Sequence, residues 1–204
     1  MAIIFYRTSE VPYGCFSNFS LRPIKIDGKE WPTSEHFFQA YKFITTDPEY
    51  AETIRNTSRP HDVADLGRDR NYPLRHDWED VKDDVMRIAV ATKFSQHEDI
   101  QKILLNTGDE TIIEATTKDN YWGEGTKKNG KNMLGIILEE VRDCLCGQQP
   151  FEDHWDEEFL KAEESRSHIV EDNTANAYCS AFRSSPLGLY LADSWSIVDP
   201  GKLE

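Results

Sequence analysis

Apolar and polar positions along the chain follow two rhythms, and the rhythm changes near residue 33. The run "AIIFY" and the later run "PIKIDGKEW" alternate like short strands, and the second turns at Asp27-Gly28, a dipeptide that tolerates the positive φ of a hairpin. Between them "VPYGCFSNFS" reads as an aromatic loop. Helical spacing then takes over. Thr33 is placed to cap a first helix, and Pro48 in "TTDPEY" opens a second that runs through "AETIRNT". Asp77 stands before a long helix whose apolar positions Trp78, Val81, Val85, Ile88 and Thr92 step by three and four to about Gln96. "EDIQKILLNTGD" predicts a short helix ending near Gly108, and "ETIIEATT" is the best later strand. Asn132 is expected to cap a last core helix with Leu134, Ile137, Leu138, Val141 and Leu145 on one face. No internal repeat is visible.

From Gln148 the periodicity weakens into the acidic stretch "EDHWDEEFLKAEESR" and the mixed aromatic stretch "NAYCSAFRSSPLGLYLADSW". The expected organisation is therefore a domain over 1–147 and an acidic C-terminal extension over 148–204 of unknown role, which would pack on the core, dimerise or form a lid. At 204 residues, with 38% hydrophobic residues, five Trp, eight Tyr and ten Phe, the chain can bury a real core.

Charge narrows the partners. The net charge of -14 opposes sequence-independent binding to duplex backbone, which needs clustered Lys and Arg. Residues 148–204 carry 12 acidic and 4 basic side chains, or -8, leaving -6 for residues 1–147. A nucleotide-sized ligand remains compatible with the main body, and single-stranded nucleic acid is favoured over duplex. The opening "MAIIFYRT" is too short for a signal peptide core, and no run approaches the ~20 apolar residues of a membrane span, so an intracellular, cytoplasmic setting is expected. Cys15, Cys144, Cys146 and Cys179 lack metal-ligand spacing and read as four thiols.

The stretch "WPTSEHFFQAYKF" carries the first chemistry. At ~100° per residue Glu35, Gln39 and Lys42 fall within an arc of roughly 60°, bordered by Phe38 and Phe43, with Phe37 and Tyr41 further round. On an ordinary helix such a line is a solvated stripe. Aromatic borders favour a polar line set in a hollow, where low dielectric shifts pKa values and pairs a carboxylate with an amine. In "TTKDNYWGEGTKKNGKNMLG", Asp119 and Trp122 follow the strand, and Gly123, Gly125 and Gly130 permit close backbone approach to a ligand. The bland alternative is a glycine-rich turn around one packed Trp. Trp78 adds a ring at a helix start, and Arg55, Arg59, Arg68, Arg70 and Arg75 form a basic cluster with some weight as a phosphate-binding face.

The ordered set "YGCFSNFS", "WPTSEHFFQAYKF", "IRNTSRPHDVADLGR", "LLNTGDETIIEATTKDNYWGEG" and "GKNMLGIILEEVR" resembles the NADAR family, named for NAD and ADP-ribose, which includes the YbiA-like N-glycosidases. The resemblance covers about residues 3–145, and the extension after Gln148 departs from it. It implies a mainly helical α+β fold with a small β-sheet and a site that cleaves a base–ribose N-glycosidic bond. Two substrate classes are implied: ADP-ribosylated guanine in nucleic acid, taken as the first choice, and phosphoribosyl-aminopyrimidine intermediates of riboflavin biosynthesis. By the family pattern Glu35, Trp78, Asp119 and Trp122 fall on active-site positions, and Lys42 matches a lysine given a Schiff-base role in the ADP-ribose branch.

Breaking a ribose C1–N bond builds positive charge on the sugar and negative charge on the base, so the site needs an anion near C1 and a proton source. Glu35 is expected to handle proton transfer and Asp119 to stabilise or orient the ribose, while Lys42 acts either as a nucleophile on C1 or as a charge partner of Glu35. Trp78 and Trp122 would wall the base and ribose, and Asn18 would bond a phosphate or ribose hydroxyl. Gln39 and Gly123 complete the expected binding set, with Arg55 and Arg68 on the phosphates. No metal and no cofactor is required, since two carboxylates and an amine supply the acid–base work. A non-catalytic ADP-ribose reader is the competing class.

Overall fold

Ile24 and Ile26 point inward and Lys25 outward, which is the alternation a half-buried strand needs. The computed structural model describes residues 2–146 and pairs this strand, β2 (Ile24–Ile26), antiparallel with β3 (Lys29–Trp31). Asp27 and Gly28 both take positive φ, 51° and 69°, as the two-residue turn requires. The other strands, β1 (Ile3–Phe5) and β4 (Ile112–Glu114), pair parallel, with Ile3 opposite Ile112 and Phe5 opposite Glu114. The expected small sheet is thus two separate two-stranded pairs within an otherwise helical fold.

Among the described residues six α-helices surround them: α1 (Ser34–Tyr41), α2 (Pro48–Arg55), α3 (Pro60–Leu66), α4 (Trp78–Gln96), α5 (Glu98–Leu105) and α6 (Met133–Leu145). Helix α4 is the hub, packing on α1, α5, α6 and β2. Its stepped positions Trp78, Val81, Val85, Ile88 and Thr92 are buried, and so are Met86, Ala89, Val90 and Phe94, because neighbours cover more than one face. Each fully buried Leu, Ile or Phe of this core contributes about 1.5–3 kcal/mol. Lys93 is wholly buried among them and donates to the carbonyls of Ser17, at 2.9 Å, and Phe16, at 3.5 Å. These bonds tie the loop before β2 to the hub.

Two expected caps act differently. Asp77 precedes α4, but its carboxylate is taken by Arg75 at 2.6 and 2.7 Å, so it makes no side-chain cap. Asn132 adopts φ of +53° before α6 and spends its side chain on β4, donating to Ile112 O at 2.8 Å and accepting from Glu114 N at 3.0 Å. A Cβ on Gly135 would meet Ile112 O at 2.1 Å, so glycine there lets α6 lie directly on β4. Helix α3 has no counterpart in the sequence reading: seven residues with only Val63 and Ala64 buried carry no apolar period.

Cys15 and Cys146 are free thiols, Cys144 is buried, and Cys179 lies outside the described residues together with the acidic extension 148–204. No described helix is long and apolar enough to cross a membrane.

Candidate active site

Helix α1 is buried on every side, which is where its aromatic borders pointed. Thr33 Oγ1 accepts from His36 N at 3.3 Å and bonds His36 Nδ1 at 2.8 Å, and His36 Nε2 bonds Thr57 O at 2.8 Å, so the first turn is pinned at both ends of that imidazole. Burial lowers the pKa of His36. Asn18 adds a second anchor: its carbonyl accepts from Glu35 N at 3.2 Å, and its side-chain oxygen accepts from Ser34 Oγ at 2.9 Å.

The polar line lies inside this buried helix and its C-terminal residue. Glu35, Gln39 and Lys42 are 6%, 6% and 8% exposed. Gln39 Nε2 donates to Glu35 Oε1 at 2.8 Å, and Lys42 Nζ donates to Gly67 O at 3.2 Å. Lys42 Nζ also stands 5.5 Å from the ring centres of both Phe38 and Trp78. Burial raises the Glu35 carboxyl above its usual range, opposed by the Gln39 bond and by the charges of Lys42, Arg68 and His61. Burial lowers the Lys42 amine to about 8, with Glu35 pulling the other way.

All three line a cavity of about 1010 Å³. Phe38 forms its aromatic spine, with Trp78 at 5.0 Å and Trp122 at 5.3 Å between ring centres. Asn18, Trp78, Asp119, Trp122 and Arg68 line the same cavity, so the structure brings together residues separated by a hundred positions. Asp119 Oδ1 accepts from the backbone N–H groups of Tyr121, at 2.7 Å, and Trp122, at 2.8 Å. The carboxylate thereby shapes its own loop and fixes the Trp122 backbone. Arg68 pairs with Asp65 at the rim.

Other expected members fall elsewhere. Arg55 is not part of the cavity: it pairs with Glu52 at 2.7 Å and donates to Glu30 O at 3.2 Å, beside the Trp31 ring. Arg75 is buried beneath Tyr41, holds Asp77, and donates its backbone N–H to Lys42 O at 2.8 Å, a structural post rather than a phosphate ligand. Gly123 serves packing, since a Cβ there would meet Thr116 Cγ2 at 2.4 Å and Glu114 O at 2.6 Å. Glu114, Arg7, His61, Lys82 and Lys118 line the cavity without having been singled out. The only sequence signal for Glu114 was its place at the end of a strand, where side chains open toward loops. Among the described residues no group of three His, Cys, Asp or Glu side chains could hold a metal.

The comparisons with known proteins converge on one family. The NADAR domain profile matches residues 4–146. The chain is 52% identical over 144 residues to N-glycosidase YbiA of Escherichia coli, covering 71% of this chain and 88% of that protein. The NMR structure of E. coli YbiA superposes with a TM-score of 0.64 at 46% identity, covering 83% of this chain and 90% of the other. A riboflavin biosynthesis protein of Zea mays, PYRR, is 36% identical over 161 residues, which cover 72% of this chain but 26% of the maize protein.

Proposed function

Because the chain belongs to the NADAR domain family, and is thereby a hydrolase acting on N-glycosyl bonds, we propose that its substrate is guanine carrying ADP-ribose, in nucleic acid or as a nucleotide. The observation that carries this reading is the buried line Glu35, Gln39 and Lys42 facing a cavity that also holds Asp119. An amine at about 8 is partly neutral near pH 7 and is a competent nucleophile. The cavity volume of about 1010 Å³ supports a dinucleotide-sized ligand over a single phosphoribosyl group. Arg7, Arg68, Lys82 and Lys118 on its lining supply cations for a diphosphate.

The chemistry follows from these positions. Asp119 offers a fixed anion to the sugar as positive charge develops at C1. Ring opening breaks the C1–O bond, whose oxygen takes a proton, and leaves C1 doubly bonded to the base nitrogen. Neutral Lys42 Nζ adds to C1, and the C1–N bond then breaks with its electron pair going to the base nitrogen, which takes a proton. The resulting iminium is hydrolysed by water, which returns the amine and frees the sugar aldehyde. Glu35, beside Lys42 on the same helix, moves protons to and from that amine and the water. Trp78 and Trp122 wall the reacting groups and exclude bulk solvent.

A second reading has behind it the likeness to riboflavin biosynthesis proteins, the maize one among them, and takes a phosphoribosyl-aminopyrimidine as substrate. Incubation with a single-stranded oligonucleotide bearing ADP-ribose on guanine, with both products followed by mass, decides between them. Release of unmodified oligonucleotide and free ADP-ribose is expected. An intact oligonucleotide alongside hydrolysis of the aminopyrimidine riboside would favour the second reading.

A further inference from the structure

Five carboxyl groups line one cavity: Asp65 and Glu79 pair with Arg68 and Lys82, and the other three, Glu35, Asp119 and Glu114, are held in three different ways. Glu35 accepts a bond from Gln39 and feels the cations Lys42, Arg68 and His61. Asp119 is an acceptor for two backbone N–H groups. The Glu114 carboxyl accepts no hydrogen bond among the described residues, although its backbone is fixed on both sides. Its N–H bonds Asn132 Oδ1 at 3.0 Å, and its carbonyl accepts from Glu124 N at 2.9 Å. In register it stands opposite Phe5 of β1, and the Gly123 backbone presses against its carbonyl.

Like charges enclosed together cannot all ionise, and the proton goes to the group with least support for its anion. The charged and titratable groups that share the cavity with Glu114 include Glu35 and Lys42 of α1, His61 and Asp65 of α3, Arg68 after it, Glu79 and Lys82 of α4, Lys118 and Asp119 of the next loop, and Arg7 after β1. Of these, the charges that act on it most are the carboxylates of Asp119 and Glu35. Departure of a base as an anion is costly, so a carboxyl that keeps its proton near the scissile bond is what the reaction lacks once Lys42 attacks C1 and Glu35 serves that amine.

We propose that Glu114 is a further catalytic residue, the general acid that protonates the departing base. As the C1–N bond breaks, its electron pair goes to the base nitrogen and the carboxyl proton of Glu114 moves onto the base. Glu114 is left as the carboxylate, and the hydrolytic water restores its proton. The assignment rests on N-glycosyl cleavage and holds for either substrate class. Burial, with Asp119 and Glu35 nearby, raises the Glu114 carboxyl to about 7, in keeping with a group that still carries its proton at neutral pH.

Two measurements test this. In the free protein, ¹³C-glutamate NMR, with Glu114 assigned by the spectrum of Glu114→Gln, should find its carboxyl titrating near 7; ionisation complete by about pH 5, the ordinary range, would overturn the proposal. In turnover, Glu114→Gln should lose about 100-fold or more in kcat with little change in KM, and its residual rate should no longer fall on the alkaline side of the pH profile. A variant within about threefold of the parent, or one that keeps the alkaline fall, would also overturn it. Glu114→Asp, which keeps an acid, serves for assignment and kinetics should Gln fail to fold, and should retain the alkaline fall at a lower rate. If the parent leaves ADP-ribosylated guanine intact, the proposed substrate fails, while the kinetics move to the aminopyrimidine riboside and the titration stands unchanged.

Discussion

Glu35 and Lys42 lie two turns apart on one buried face of α1, and burial drives them in opposite directions, the carboxyl up and the amine down to about 8. Each is the opposite charge that limits the other's shift. The pair is therefore poised to pass a proton near neutral pH rather than to form a locked ion pair.

The first prediction concerns that pair. Glu35→Gln keeps the Gln39 contact geometry but removes the exchangeable proton. Turnover should fall by about 100-fold or more, while ADP-ribose still binds within a few-fold of the parent by calorimetry. A reader protein has no turnover to lose, so this outcome separates the two classes.

The pH profile of kcat/KM should be bell-shaped. Neutral Lys42 accumulates as pH rises through about 8, and protonated Glu114 disappears as pH rises through about 7. The product of the two populations is greatest between those values. An optimum below about pH 6 would contradict the assignment of both groups.

Gly67 is the concealed support of the polar line. A Cβ there would meet Gln39 Oε1 at 1.7 Å and Gln39 Cβ at 3.1 Å, and its carbonyl is the acceptor for Lys42. Gly67→Ala should displace Gln39 and take the hydrogen bond from Glu35. We expect a loss of about tenfold or more in kcat with a stability cost of about 1–3 kcal/mol, measured by turnover and by denaturant unfolding.

The elements legible in the sequence are those whose cause is local. The hairpin at Asp27-Gly28, the Thr33 cap and the Glu35, Gln39 and Lys42 line each depend on a few neighbouring residues, and each stands where the pattern put it. The parallel pairing of β1 with β4 joins residues over a hundred positions apart, and no local period records it. Glu114 was hidden for the same reason, since the residues that share its cavity come from α1, α3, α4 and the segment after β1. Arg55 misled because charge alone does not say whether a guanidinium already has a partner, and here Glu52 is that partner. Asn132 had the chemistry of a cap, but the strand beside it offered two backbone groups in better reach.

Glu114 also has a stability consequence. Its folded-state pKa, about 7, lies above the ordinary 4.5, so its contribution is fully present below about 4.5 and is lost as pH rises through about 7. Glu114→Gln removes that loss. The variant should melt higher than the parent at pH 8, and the difference should shrink toward pH 4.5. Equal shifts at both pH values would contradict a carboxyl that is uncharged when folded.

The most direct measurement is reductive trapping. The protein is incubated with the ADP-ribosylated guanine oligonucleotide and sodium borohydride, digested, and mapped by mass. A sugar adduct reduced onto the peptide bearing Lys42, absent from Lys42→Met, is the result this account predicts. Released oligonucleotide with no adduct at Lys42 would contradict the iminium and leave the buried amine only a charge-pairing role with Glu35.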